Sequence, residues 1–192
     1  MGMTAKGATI DVANGDIYLF DWNVYTWYKI NSSGNTVYSK NIPYGTGAGQ
    51  LRSGGNDVGA AVNSSYLYLT NTSDYRVDKW HKSNGNYAGF FTGSSSATYP
   101  TSCTAPDALK EGQGLAIDSN GNVYVADTAC KTVNKYNSSG TLLYKLGTAG
   151  VGQGSWCGGA YTTTHFCYPN QVSVDPLTDD VYVGDYYRIL KF

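Results

Sequence analysis

The chain has 192 residues, of which 41% are hydrophobic and only 14% charged, and its formal net charge is −1. These values argue against a disordered chain, and the scattered Lys and Arg residues offer no basic stripe for nucleic acid. No apolar run approaches the roughly 20 residues of a membrane-spanning helix. Gly (24 residues) and Tyr (18 residues) are over-represented, which is typical of an all-β protein with many tight turns.

The first predicted element is an apolar strand, ATIDV, which is followed by a turn at Asn14-Gly15 and a second strand around Tyr18. An Asn-Gly pair favours a tight β-hairpin because both residues tolerate positive φ. A third strand carries Lys29, the sequence NSSG forms the next turn, and a fourth strand reads TVYSKNI. Residues 8–42 are therefore predicted to form a four-stranded antiparallel meander.

The same order of strands and turns recurs along the chain, and we number the four copies blades 1 to 4. Each copy has a Tyr in its second strand, an acid or its amide three residues later, and a Lys in its third strand. The tyrosines are Tyr18, Tyr68, Tyr124 and Tyr182, the acids and amide are Asp21, Asn71, Asp127 and Asp185, and the lysines are Lys29, Lys79, Lys135 and Lys191. The Tyr-to-Lys offset is 11 in the first three copies and 9 in the last.

Successive repeat tyrosines are 50, 56 and 58 residues apart, which is the spacing of four-stranded β-propeller blades with long loops. The predicted fold is therefore an all-β propeller in a single domain, 1–192, with blades at approximately 8–42, 58–91, 114–146 and 171–192. The extra length lies in Gly/Ser/Thr-rich loops at 43–57, 92–113 and 147–170. Blade 4 contributes only the strands QVSVD, DDVYVGD and YRILKF, so we expect an incomplete ring whose open edge is covered by a neighbour or a second copy.

Two segments resemble a known repeat family. Residues 112–147 read GQGLAIDSNGNVYVADTACKTVNKYNSSGTLLYKLG, and residues 165–192 read HFCYPNQVSVDPLTDDVYVGDYYRILKF, with an aromatic-x-x-Pro lead-in at Phe166 and Pro169. Both segments are similar to NHL repeats, and the first two blades keep the same order in a more divergent form. The resemblance implies a β-propeller of the extracellular NHL type, but it implies no particular function because propellers host enzymes, adhesins and scaffolds.

Two sets of acidic positions repeat. Asp21, Asn71, Asp127 and Asp185 end the second strands, where they can form a ring of ligands or accept backbone N–H bonds in the adjoining loops. Repetition in every blade favours the structural role, since a binding site usually breaks the symmetry. Asp11, Asp118 and Asp175 end the first strands, and we expect them to cap the hairpin turns.

The four Cys residues show no CxxC pair and no metal-ligand spacing with His. Loops that join strands four to one and strands two to three emerge on the same face of a propeller, so Cys103 and Cys130 can meet. Cys157 and Cys167 share one long loop. We therefore predict the disulfides Cys103–Cys130 and Cys157–Cys167, and with them a secreted or cell-surface protein.

Aromatic residues in the long loops are the candidate binding residues. Tyr99, Trp156, Tyr161 and Phe166 lie in loops that a minimal blade does not need, beside Ser, Thr, Gly and Asn, as in many recognition surfaces. The alternative is that these side chains fold down and anchor their own loops. Aromatic residues within the strands, such as Trp27, Trp80 and Tyr136, are instead expected to pack between blades.

Catalytic equipment is sparse. The two His residues, His81 and His165, are far apart, and Glu111 is the only Glu in the sequence, so we predict no enzyme activity, no metal and no cofactor. The predicted function is recognition of a protein or glycan through the face that carries the long loops, without nucleic acid or membrane partners. Two alternatives are a structural subunit of a surface assembly or fibre, and a propeller lyase or lactonase whose site lies partly outside this chain.

Overall fold

A computed structural model describes residues 5–52, 58–106, 108–147 and 165–192. These residues form an all-β protein built of consecutive antiparallel sheets, which confirms the predicted propeller blades. Blade 1 consists of β1 (Ala5–Asp11), β2 (Asp16–Asp21), β3 (Thr26–Ile30) and β4 (Thr36–Asn41). Blade 2 consists of β5 (Ala60–Val62), β6 (Tyr66–Asn71), β7 (Arg76–His81) and β8 (Tyr87–Gly93), with a short 3-10 helix at Thr72–Asp74.

Blade 3 consists of β9 (Gly112–Ile117), β10 (Val123–Asp127), β11 (Thr132–Tyr136) and β12 (Leu142–Leu146). Blade 4 consists of β13 (Pro169–Val174), β14 (Val181–Asp185) and β15 (Arg188–Lys191). In every blade the strands pair in chain order, so each sheet is a simple meander. Blade 4 has three strands, as the sequence predicts for its described residues.

The repeated Tyr and Lys face each other across the second and third strands. Tyr18 pairs with Lys29, Tyr68 with Lys79, Tyr124 with Lys135 and Tyr182 with Lys191. The ammonium groups of Lys29, Lys135 and Lys191 lie over the paired rings, at 5.7, 4.8 and 5.8 Å from the ring centroids. In blade 4 the Tyr-to-Lys offset is two residues shorter because Asp185 pairs with Arg188 across a two-residue turn, whereas Asp21 pairs with Thr26 across four residues.

Hydrophobic cores lie between consecutive blades. Trp27 of blade 1 meets Trp80 of blade 2 in an edge-on contact of 6.3 Å between ring centroids, within one buried cluster. A second cluster joins blades 2 and 3 around Tyr68 and Tyr136, and a third joins blades 3 and 4 around Tyr124 and Val183. These contacts confirm that the strand aromatics, including Trp27, Trp80 and Tyr136, pack between blades.

The innermost strands bring the blades together. β1 packs against β5, β5 against β9, and β9 against β13. Glycines allow the close approach: a Cβ atom on Gly59 would lie 1.9 Å from the carbonyl oxygen of Gln113. Within the described ranges, no comparable packing joins β1 to β13.

Candidate functional site

Loops of two kinds meet at one end of the blades, which we call the long-loop face. One kind joins the second to the third strand of a blade, and the other joins the fourth strand to the first strand of the next blade. The disulfide between Cys103 and Cys130 links one loop of each kind and confirms that pairing. The other predicted pairing, Cys157–Cys167, involves Cys157, which lies outside the described residues.

Every blade places one residue of its second-to-third-strand loop in the left-handed region. These residues are Tyr25 (φ 48°), Tyr75 (φ 59°), Lys131 (φ 59°) and Tyr186 (φ 48°). For a bulky residue this backbone conformation is strained, and Gly or Asn adopts it at lower cost. A turn alone does not require Tyr at this position, so three tyrosines in four blades indicate that the side chain itself has a use.

Each of these residues contacts an aromatic ring of the neighbouring long loop. The ring centroids of Tyr25 and Tyr44 are 6.2 Å apart, and those of Tyr75 and Tyr99 are 5.1 Å apart. The ammonium group of Lys131 lies 4.2 Å from the ring centroid of Tyr168, which also packs 5.9 Å from Tyr186. We call this set the tyrosine rim; it comprises Tyr25, Tyr44, Tyr75, Tyr99, Tyr168 and Tyr186, with Lys131.

The outer members of the tyrosine rim are open to solvent. Tyr44 is 62% exposed, Tyr99 52%, Tyr168 49% and Tyr186 54%. Lys110 adds a second ammonium group, 5.1 Å from the Tyr99 ring centroid. Burial lowers the pKa of Lys131 while the nearby carboxylates of Asp185 and Glu111 oppose that shift. The rim therefore offers half-exposed aromatic rings and a small number of cations, which suits stacking and hydrogen bonding to a ligand with little charge.

The loop that carries Tyr44 is held by a buried charge network in blade 2. Arg76 donates to Asp78 at 2.7 Å and to the Gly47 carbonyl oxygen at 2.8 Å, and the Asn71 amide donates to the Gln50 carbonyl oxygen at 3.0 Å. Burial raises the pKa of Asp78, and the Arg76 guanidinium opposes that shift. These bonds fix the loop backbone and so preorganise the surface around Tyr44.

The loop that carries Tyr99 is held differently. Its disulfide joins Cys103 to Cys130, with a sequence separation of 27 residues. The Lys145 ammonium group of β12 donates to the carbonyl oxygens of Cys103 and Ala105 at 2.6 and 3.1 Å. The loop is thus tied both to the long-loop face and to the outermost strand of blade 3.

The repeated acids at the ends of the second strands have a structural role. The Asp127 side chain is buried and accepts hydrogen bonds from the backbone N–H groups of Lys110, Glu111 and Cys130. Asp185 does the same for Cys167 and Tyr168. Burial raises the pKa of Asp127, and the three N–H donors oppose that shift. Of the two roles left open by the sequence, the geometry supports loop fixation.

The predicted hairpin caps are present at the opposite end of the blades. Asp11 accepts from the Ala13 N–H, Asp118 from those of Asn120 and Asn122, and Asp175 from that of Leu177.

The candidate binding residues predicted from the sequence have different locations. Tyr99 belongs to the tyrosine rim, whereas Trp156 and Tyr161 lie outside the described residues. Phe166 is a correction: it is only 5% exposed, and it packs edge-on against Phe192 at 5.8 Å in the core between blades 3 and 4. Gly147, where a Cβ would lie 2.5 Å from the Phe166 ring, makes room for it. Phe166 therefore anchors its own loop.

Sequence reasoning missed Tyr25, Tyr75, Tyr168 and Tyr186 as surface residues. A signal for two of them was present, since Tyr25, Tyr75 and Lys131 each follow the repeated acid or amide by four residues. The shorter turn of blade 4 breaks that spacing at Tyr186.

The described part of the chain shows no group of three or more His, Cys, Asp and Glu residues placed to hold a metal ion. It also contains no helix long and apolar enough to cross a membrane.

Comparison with known proteins supports the architecture. A β-propeller repeat model (SBBP) matches residues 92–126. Peptidyl-glycine alpha-amidating monooxygenase B of Xenopus laevis is 40% identical over 83 residues, which cover 41% of this chain and 9% of that protein. The corresponding monooxygenase of Rattus norvegicus is 39% identical over 85 residues and 8% of its length. The chain thus spans less than a tenth of the length of these relatives.

Solved structures match almost the whole chain. A protein of unknown function from Bacteroides thetaiotaomicron superposes with a TM-score of 0.67 at 17% identity, covering 97% of this chain and 46% of that one. An auxiliary nutrient binding protein from the same organism gives a TM-score of 0.67 at 15% identity, covering 99% and 48%. A streptogramin B lyase gives 0.60 at 12% identity, covering 98% and 54%. At these identities the likeness concerns the fold, and the chain corresponds to about half of each structure.

Proposed function

We propose that this chain, an NHL-like β-propeller, is a secreted or cell-surface recognition module that binds a partner through its tyrosine rim. The carrying observation is that every blade places a Tyr or Lys in a strained left-handed turn, where it contacts an exposed Tyr of a long loop. Strained backbone positions that recur with one side-chain type are a mark of functional surfaces. Tyr also supplies large contact area at low conformational entropy.

A glycan is the partner that the rim fits best among the protein and glycan ligands considered. The same pair of groups is offered by successive blades, so a ligand that itself repeats, such as a polysaccharide, can engage several pairs at once. The rim contains tyrosine hydroxyls and Lys131, and Lys110 lies close to its Tyr99 ring. The chain's low charge, 14% of residues, favours a neutral ligand over a highly charged one.

A secreted or surface location fits the disulfide between Cys103 and Cys130, since such bonds persist in oxidising compartments. The disulfide ties down the loop of the long-loop face that carries Tyr99.

Tyr75→Gly tests the rim at one blade. Glycine relieves the left-handed strain but removes the ring that contacts Tyr99, so stability should change by less than about 1 kcal/mol. Binding on a glycan array, followed by calorimetry with the best polysaccharide, should weaken by about 10-fold or more. The matched control is Tyr144→Ala, which removes an exposed tyrosine from the outer strand of blade 3 and should leave binding unchanged.

Equal binding by wild-type protein and Tyr75→Gly would contradict the rim as the binding surface. Binding that is lost equally in Tyr144→Ala would show that the ligand sits elsewhere on the blades.

A second candidate is an enzyme of the propeller lyase or lactonase kind, with a site partly outside this chain. The observation behind an enzymatic role is the 40% identity over 83 residues to an enzyme, peptidyl-glycine alpha-amidating monooxygenase B. Elemental analysis of the purified protein tests this candidate, since tightly bound zinc or calcium would support the enzyme.

A further inference from the structure

Each blade has two faces, which the three internal interfaces define. We call the face toward the following blade the forward face and the other the rear face. The forward face carries the repeated Tyr of the second strand. It also carries the second-strand residue two positions after that Tyr, together with the third-strand residue that pairs with it. These opposed pairs are Phe20 with Trp27, Thr70 with Val77, Ala126 with Val133 and Gly184 with Ile189.

The forward face of blade 4 has the same pattern as the three that are covered. Tyr182 occupies the place of the buried tyrosines Tyr18, Tyr68 and Tyr124, and Ile189 occupies that of Trp27, Val77 and Val133. Those three counterparts of Ile189 are at most 1% exposed, whereas Ile189 is 76% exposed. An apolar third-strand residue that every other blade buries is therefore open to solvent here.

The rear face of blade 1 has the complementary pattern. Ile17 and Leu19 occupy the positions of Leu67 and Leu69 in blade 2, which are 1% and 0% exposed. On the first strand, Ile10 pairs with Ile17 as Val62 pairs with Leu67. Ile10 is 59% exposed, and Ile17 and Leu19 are only half-buried. This face has the apolar residues of an interface that the described chain leaves uncovered.

We infer that the forward face of blade 4 binds the rear face of blade 1 of a second copy of this chain. The two faces match position by position the pairs that join blades 1, 2, 3 and 4 within one copy, so the new contact repeats an interface that this sequence already forms. Such a head-to-tail contact is heterologous and generates either a ring or a filament. The superposed propellers are about twice as long as the part that this chain covers, 46% and 48% in two cases, so a propeller has room for a second set of blades.

One position distinguishes the contact between copies from the internal ones. Gly7, Gly59 and Gly114 lie at the innermost strands, where an added Cβ would come within 2.8 Å of the backbone of the following blade. Blade 4 has Gln171 there, opposite Gly184, and the Gln171 side chain is exposed. The innermost strands of two copies are therefore expected to approach less closely at this position than those within one copy, leaving the contact weaker than the internal ones.

Analytical ultracentrifugation over a range of concentrations tests the inference. Wild-type protein should sediment as species of two or more copies of the 20.6 kDa chain. Ile189→Asp and Ile10→Asp each spoil one face, and each should raise the dissociation constant by about 30-fold or more. Leu177→Asp is the matched control, since Leu177 is 93% exposed in the β13–β14 turn, away from both faces. This variant should have the same dissociation constant as wild-type protein.

Mixing the two variants gives the deciding result. Ile10→Asp retains an intact blade 4 and Ile189→Asp retains an intact blade 1, so the mixture should form a heterodimer at concentrations where each variant alone is monomeric. Circular dichroism of each variant checks that the blades remain folded. Wild-type protein that stays monomeric, variants that associate like wild type, or a mixture that does not recover association would each overturn the inference.

Discussion

Asp118 links the hairpin between the first two strands of blade 3 to the third strand. One of its carboxylate oxygens accepts from the N–H groups of Asn120 and Asn122, and the other accepts from the Asn122 amide and forms an ion pair with Lys135 at 3.0 Å. Burial would raise its pKa, but the hydrogen bonds from Asn122 and the ion pair with Lys135 outweigh burial and hold the pKa below the usual value. The carboxylate therefore ties the turn between the first two strands to the third strand.

Replacement Asp118→Asn should lower the free energy of unfolding at pH 7 by about 2 kcal/mol, because the hydrogen-bonded charge pair with Lys135 is lost. A carboxylate with a lowered pKa stabilises the fold above its unfolded pKa, about 3.9, and that contribution disappears as the pH falls through the folded value. The wild-type and variant unfolding curves should thus converge in acid. Urea unfolding at a series of pH values measures both effects.

The matched control is Asp180→Asn, which breaks the ion pair with Lys191 on the surface of blade 4. Exposed pairs contribute little, so this variant should unfold close to wild type at pH 7. Equal losses in both variants, or a loss in Asp118→Asn that persists undiminished in acid, would contradict the role given to Asp118.

At the scale of the elements, the loops differ more than the strands. The strands follow from local signals, namely alternating apolar residues and Gly-containing turns, and these were predictable. Whether an aromatic side chain of a loop is buried or exposed was not predictable, because its burial depends on residues distant in the sequence. Phe166 is buried because Gly147 leaves space for its ring and Phe192 packs against it, and neither condition is visible in the local pattern around Phe166.

The disulfide is the element-scale feature that is most easily tested. The Cys103→Ala/Cys130→Ala double variant should lose about 3–4 kcal/mol of unfolding free energy on the chain-entropy model, given the separation of 27 residues. The loop that carries Tyr99 should also become a preferred site of proteolysis. Urea unfolding and limited digestion measure the two effects, and an unchanged urea midpoint would show that Lys145 alone holds the loop.

For the whole molecule, the sequence was sufficient for the architecture and insufficient for the surface. The recurring Tyr-to-Lys offset arises because these residues are cross-strand neighbours, as Tyr124 and Lys135 are. The offset therefore allows the blades to be aligned with one another from the sequence alone. The sequence did not predict the tyrosine rim, because Tyr75 and Tyr186 adopt a left-handed backbone conformation. Tyrosine normally prefers negative φ, and the turn imposes the positive value.

Association of copies has a thermodynamic signature at this scale. If the faces that contain Ile10 and Ile189 are covered only in the assembly, the melting temperature should rise with protein concentration, because binding to the folded state adds to its stability. Differential scanning calorimetry over a hundredfold range of concentration measures this. Ile189→Asp should melt at one temperature throughout that range, and a wild-type melting temperature that is equally insensitive would argue against association.

The left-handed turn position also bears on how such a surface can evolve. Tyr25, Tyr75, Lys131 and Tyr186 stand outside the strand pairings, so their identity is decoupled from the sheet register. One codon change per blade can alter the chemistry that a ligand meets while the scaffold keeps its geometry. Lys131 in place of a fourth tyrosine is an example of such divergence within a single chain. The surface chemistry of this scaffold can thus change in small, independent steps.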